Sequence, residues 1–247
     1  MEEQPTQELT KKERKELRRA ERDERHRRNA RAGSIKKLLW WAIGAVVILG
    51  GSALLVWAAT KQSAELEQAP LADEITAEDH VIGNRDSSVV LLEYGDFECP
   101  ACGSYHPVLK QLKAEYGDRV AFVYRHFPLN AIHKSADISA RATEAAALQG
   151  KFWEMHDKLF ENQKEWTTGS TETVIEGYAQ EVGLNMEQFR TDINSEVVKE
   201  AVEQDRLSAI RSTVNSTPTF FLNGEKIQNP RSVQDFKGML DTALSAQ

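Results

Sequence analysis

The stretch EYGDFECPACGSYHP, Glu93 to Pro107, holds both cysteines of a 247-residue chain, spaced as C-x-x-C around Pro100 and Ala101. Just before it, Val89 to Leu92 form an apolar run of the kind a strand buried on both faces requires. Just after it, Tyr105, Val108, Leu109 and Leu112 recur at helical spacing until Gly117. The cysteines therefore open a helix. Free backbone N–H groups and the helix dipole favour anionic sulfur at a first turn, which makes Cys99 the candidate nucleophile and leaving group. Pro100 suits that turn because its missing N–H costs nothing there. Cys102, one turn further in, is expected to be more buried and to resolve a mixed disulfide rather than start exchange.

Other uses for two cysteines fit less well. A disulfide closing so short a loop removes little chain entropy and makes a poor staple. Cys99, Cys102 and His106 are an incomplete ligand set for zinc or copper. Charged and small residues around the pair disfavour inert core thiols. Redox exchange is the reading these residues favour, with no metal and no cofactor expected beyond the Cys99–Cys102 pair itself. No Gly-rich phosphate loop is present.

Working outward, Val120 to Phe127 form a second strand that stops at Pro128, so the opening reads strand, helix, strand. In one sheet that order implies a parallel pair with a crossover helix. A helical block follows, with apolar faces at Phe152, Met155, Leu159 and Phe160, then at Ile175, Tyr178, Ala179 and Val182. Asn185 and Gln188 have the spacing of a capping box, and a further helix is expected over Ser195 to Ile210. TPTFFLNGEKI reads as two short strands turning at Asn223-Gly224, and a last helix runs from about Val233 to Leu244. Trp153 and Phe160 read as core, and His106, His126 and His133 as scaffold, with His106 a secondary candidate because it lies one turn past Cys102.

The chain upstream has a different character. Leu38 to Thr60 is a run of 23 residues without a charge, bracketed by Lys36, Lys37 and Lys61. As a helix it would span about 35 Å, enough for a hydrocarbon core of about 30 Å. Trp40, Trp41 and Trp57 fall at its two ends, where aromatic rings suit membrane interfaces. A cleaved signal peptide has a short basic start and a shorter apolar core, whereas 37 residues precede this one. Those residues carry 13 Lys/Arg against 8 Asp/Glu, while the remainder of the chain is acidic. The expectation is a charged cytoplasmic tail over 1–37, a single transmembrane helix over 38–60, a linker over 61–78 and a soluble domain over 79–247 on the outer, oxidising side. The tail reads as a solvated charged segment that fixes topology, with no nucleic-acid partner.

From Asp79 onward the chain resembles the DsbA-like branch of the thioredoxin superfamily. The resemblance rests on VVLLEYGDFECPAC, VYRHFPL followed by HKSADISARATEAA, GKFWEMHDKLF and STPTFFLNG, all in order. It implies an α/β thioredoxin fold with a helical insertion over about residues 135–212, preceded here by the transmembrane helix. Cys99 resembles the family's nucleophile and Cys102 its resolving partner. Pro218, after Thr217, matches the family's cis-proline, which lies against the disulfide and leaves the preceding backbone free to pair with substrate. Glu93, six residues before Cys99, matches a buried acid that moves a proton to or from the resolving cysteine. The function implied is membrane-anchored, extracytoplasmic thiol–disulfide exchange that oxidises cysteine pairs of exported proteins, with a separate membrane partner resetting the pair. A reductase or isomerase, or a metal-handling module on the same scaffold, are the alternatives. One departure bears on oxidising strength: Pro100-Ala101 lacks the histidine that the strongest oxidants place between their cysteines.

Overall fold

Side chains alternate across a strand, and that alternation sorts the central sheet into two differently packed faces. The computed structural model describes Gly51, residues 72–168 and residues 171–246. The expected tail, the apolar segment apart from Gly51 and the linker as far as residue 71 lie outside the described residues. Among the described residues, no helix is long and apolar enough to cross a membrane.

In chain order, β1 (His80–Gly83), β2 (Val90–Gly95), α1 (Pro100–Tyr116) and β3 (Ala121–His126) precede a helical block. The block consists of α2 (Ala136–Ala147), α3 (Phe152–Glu161), α4 (Gln163–Trp166), α5 (Thr171–Glu181), α6 (Met186–Asp192) and α7 (Glu196–Arg211). The chain then returns to the sheet with β4 (Thr219–Leu222) and β5 (Glu225–Lys226) and closes with α8 (Val233–Ser245). The strands lie in the order β1-β3-β2-β4-β5. β2 and β3 are parallel, with α1 as their crossover, and the other pairs are antiparallel.

Leu91, Phe122 and Phe220 face α1 and α8, where they meet Leu109, Leu112, Phe236 and Leu240. Leu92, Val123 and Phe221 face the other way, against Ala209 and Val214. A third cluster, built mainly by α2 to α7, includes Phe97 and both cysteines. The C-x-x-C motif therefore sits where the helical block meets the sheet, with apolar burial on both sides holding it in place.

Three local details differ from the sequence reading. β1 was not evident, because its four residues, half-buried or exposed at an edge, offer neither a long apolar run nor clear alternation. Asn185 does cap α6 through the N–H groups of Glu187 and Gln188, but its own N–H is taken by Gln149 Oε1 at 2.8 Å, not by Gln188. The third concerns the edge of the domain.

Residues 72–78, expected to be linker, pack onto the sheet. Ala72 N donates to Gly224 O at 2.8 Å, and Ala72 and Ile75 join the core cluster on that face. Arg125 fastens the segment. Its Nε and Nη2 reach the two oxygens of Asp79 at 2.6 and 2.8 Å, and the same guanidinium donates to the carbonyls of Asp73 and Glu74 and to Tyr94 Oη. Both partners are nearly fully buried, at 4% and 5% side-chain exposure. Breaking such a pair leaves a buried charge without compensation, at a cost of about 3–5 kcal/mol. Arg125→Ala should lower the unfolding free energy by about that amount in urea titration. A loss under about 1 kcal/mol would show that the segment is not tied down this way.

Candidate active site

Cys99 is the N-cap of α1 and Pro100 its first residue. Burial of α1 against both core clusters fixes where that helix end points. Pro100 and Ala101 are exposed, while Cys99 and Cys102 are 7% and 1% exposed. Both cysteines are free thiols in this structure. The Sγ of Cys99 lies 3.4 Å from the carbonyl oxygen of Thr217, to which its protonated form donates, across 118 residues of sequence. The Thr217–Pro218 peptide bond is cis and Pro218 is buried.

The two thiols ionise very differently. Cys99 is pushed down to about 5, above all by the hydrogen bond from the Cys102 thiol, with the backbone N–H groups of Cys102 and Ala101 adding to it. Burial pushes Cys102 well above the usual thiol range. At neutral pH one sulfur carries a charge and its neighbour keeps its proton.

Alternation along β2 places Glu93 on the α1 face, opposite Tyr124 and Phe220 on the flanking strands. It is 6% exposed, and among the described residues its Oε1 has no hydrogen-bond partner. Burial raises its carboxyl to about 8, with the charge of Cys99 adding and that of Lys113 opposing. Burial also lowers Lys113 to about 8. Its ammonium stands 4.2 Å over the ring of Trp153, a cation–π contact. Trp153 is thus half-buried and engaged with a charge, rather than simple core as its spacing had indicated. Glu93, Lys113 and Trp153 border a cavity of about 10 Å³, close to the minimum for one water.

None of the three histidines singled out in the sequence, His106, His126 and His133, hydrogen-bonds a thiol. His106 is buried, hydrogen-bonds neither thiol and stacks on Phe160, and burial lowers its pKa. His126 Nε2 meets Glu144 Oε1 at 2.8 Å, and His133 Nδ1 meets Asp96 Oδ2 at 2.7 Å.

Two further residues shape the site without having been singled out. Asp96 accepts from Glu98 N through Oδ1 and from Leu129 N through Oδ2, while its carbonyl accepts from Cys99 N. It joins the approach to Cys99 to the loop after β3, and its side-chain bond two residues on was legible in GDFEC as an Asx-turn. Gln163, from α4, donates through Nε2 to the carbonyls of Phe97 and Cys99 at 2.7 and 2.8 Å. Gly103 makes room for it, since a Cβ there would lie 2.5 Å from Gln163 Oε1. No sequence signal links residues so far apart.

A family model described as Thioredoxin matches residues 76–242. The chain belongs to this thioredoxin family. Among solved structures it is similar to oxidised BdbD from Bacillus subtilis, at TM-score 0.62 and 23% identity, covering 72% of this chain and 98% of that one. It is also similar to a thioredoxin-like oxidoreductase from Silicibacter pomeroyi, at TM-score 0.60 and 27% identity, covering 70% and 95%. The fold is thus that of the thioredoxin family, with the C-x-x-C pair at the start of α1. By sequence the domain is similar to part of a protein named Na(+)/H(+) antiporter NhaA 1 from Mycolicibacterium vanbaalenii, 43% identical over 156 residues, which are 62% of this chain and 24% of that protein. A protein named Na(+)/H(+) antiporter NhaA 3 from Salinispora tropica is 32% identical over 219 residues, 83% of this chain and 33% of that one. The chain thus spans about a quarter to a third of the length of these relatives.

Thiolate absorbance of the reduced protein should titrate with a midpoint near 5. Because the Cys102 thiol is the main donor, Cys102→Ala should move that midpoint up by about one unit or more. A midpoint near that of a free thiol would contradict the asymmetry. Gln163→Ala removes two bonds to backbone carbonyls and should cost about 1–3 kcal/mol of stability in urea titration.

Proposed function

We propose that the protein is a membrane-anchored, extracytoplasmic thiol–disulfide oxidoreductase that oxidises cysteine pairs in exported proteins. The observation that carries this reading is the split between the two thiols, Cys99 low and Cys102 high. The redox group is the Cys99–Cys102 pair, working without a bound cofactor.

In the oxidised enzyme, a substrate thiolate attacks Cys99 Sγ. The Cys99–Cys102 bond breaks, and Cys102 leaves with the electron pair. Its thiolate is disfavoured in that buried position, so it must take a proton at once. Glu93, protonated at neutral pH because burial holds its carboxyl near 8, is the donor. A second substrate thiolate then attacks the substrate sulfur of the mixed disulfide. Cys99 leaves as a stable thiolate, the substrate gains a disulfide and the enzyme pair has gained two electrons. A membrane partner that accepts those electrons resets the pair. Thr217 and Pro218 form the wall beside Cys99 against which an extended substrate segment docks, through the backbone of Thr217.

The exterior location rests on the apolar segment 38–60 and its basic flank, together with the exchange chemistry, which an oxidising compartment sustains. The reductase direction is the second reading, favoured by the absence of a histidine from Pro100-Ala101.

Cys102→Ser cannot form the pair disulfide or displace a bound substrate. Its Cys99 thiolate, on attacking a disulfide of an exported protein and releasing the other sulfur as a thiolate, should therefore remain in a covalent adduct that dithiothreitol releases and a non-reducing gel detects. Failure to trap any adduct in growing cells would count against exchange with exported proteins. Glu93→Gln cannot release the proton and should slow oxidation of a dithiol peptide by about 10²-fold, leaving the Cys99 titration in place.

A further inference from the structure

Four elements that the disulfide chemistry does not use each bring one ligand-type side chain to one neighbourhood, three as a close set and His80 beside it through Glu144. His80 opens β1, His126 closes β3, Glu144 lies in α2 and Asp205 in α7. The Nε2 atoms of both imidazoles face the same oxygen, Glu144 Oε1, at 2.7 Å from His80 and 2.8 Å from His126. Ligand atoms of His126, Glu144 and Asp205 all lie within 4.8 Å of one another. Asp205 is oriented by the backbone N–H of His126, which its Oδ2 accepts at 2.8 Å.

Charge decides what belongs there. Among the described residues, Glu144 forms ion pairs with the two imidazoles alone, and Asp205 forms none with a lysine or arginine. With both imidazoles neutral, as metal ligation requires, the two largely buried carboxylates leave negative charge in excess, and buried charge is tolerated when it is paired or metal-bound. Arg125 and Arg211, on the wall of the adjoining pocket, are occupied by Asp79 and Asp73. That pocket, about 480 Å³, is bordered by His80, Glu144 and Asp205 and also by Glu74, Glu78 and Glu200, acids that attract a cation toward the site. A second cluster, His106 with His156 and Asp157, lacks this character. Lys110 Nζ already stands 4.0 Å from Asp157 Oδ2.

We propose that His80, His126, Glu144 and Asp205 bind a divalent transition-metal ion of zinc's class and so tie the sheet to the helical block. Two imidazoles with carboxylates suit such an ion, whereas calcium and magnesium select oxygen ligands alone. Ligation at about 2.0–2.2 Å requires each Nε2 to give up its proton and turn from Glu144 Oε1 to the ion. An ion bound by the folded chain and not by the unfolded one raises thermal stability by mass action. The site is separate from the cysteine pair, so it does not depend on the direction of exchange.

The test uses the full-length chain with Cys99 and Cys102 oxidised, so that neither sulfur is available as a thiolate ligand. After removal of metal by chelator, Zn²⁺ is titrated calorimetrically and the thermal midpoint is followed. One equivalent should bind and Tm should rise by several degrees. Glu144→Gln should weaken binding by about 100-fold and His80→Gln by about 10-fold or more, while Asp157→Asn, in the other cluster, should bind as the parent does. Far-UV circular dichroism and Cys99 reactivity after reduction establish that each variant is folded. His80→Gln, at a partly exposed edge strand, keeps the test open if Glu144→Gln fails to fold. Co²⁺ in place of Zn²⁺ should give the visible absorption of nitrogen and oxygen ligation. The proposal is overturned if the oxidised chain binds no zinc, if folded variants bind as the parent does, or if Ca²⁺ is preferred.

Discussion

A negative charge on Cys99 Sγ is stable only while hydrogen-bond donors converge on it, and the main elements of the domain supply or hold those donors. The start of α1 contributes backbone N–H groups, and Cys102, locked one turn inward, contributes its thiol. α1 keeps its place because Leu109 and Leu112 are buried under the sheet and the cysteines themselves are buried against the helical block. Gln163 and Asp96 then hold the backbone on either side of Cys99. Remove the packing and the donors disperse. The functional asymmetry is thus a property of tertiary structure, although the residues that display it are three apart in sequence.

The same geometry explains how a C-x-x-C pair without a histidine between its cysteines can still favour the thiolate. The partner thiol is the largest donor and backbone N–H groups add to it, and neither depends on the side chains of the exposed Pro100 and Ala101. Burial does the opposite work on Cys102 and Glu93, keeping both protonated at neutral pH. One site therefore separates three acids by environment alone: one ionised at the surface of the seam and two neutral beneath it.

Much of this was legible in the sequence, for identifiable reasons. The strand before the cysteines, the helix after them and the Asn223-Gly224 hairpin announce themselves through local periodicity and turn chemistry, and the structure contains all of them. The burial of Glu93 followed from its place in β2, which was marked by family resemblance more than by any local pattern. Features that depend on distant partners were not legible. Arg125 reads as one more charge in VYRHFPL, yet it fastens residues 73–79 to the sheet and moves the domain edge back from Asp79. Lys113 reads as a solvated position on α1, yet it stands over Trp153 beside Glu93. Gln163 carries no signal, because its two acceptors lie in another segment and belong to the backbone.

The central claim is that thiolate stabilisation at Cys99 makes the reduced pair the favoured form, so that the protein donates its disulfide. The equilibrium reduction potential of the full chain in defined glutathione buffers tests this most directly. A pair whose thiolate lies near 5 stands between thioredoxin, near 7, and DsbA, near 3.5, and should show a potential of about −180 mV, between theirs. A potential near about −270 mV would contradict the account, since a pair so reducing takes disulfides away rather than giving them.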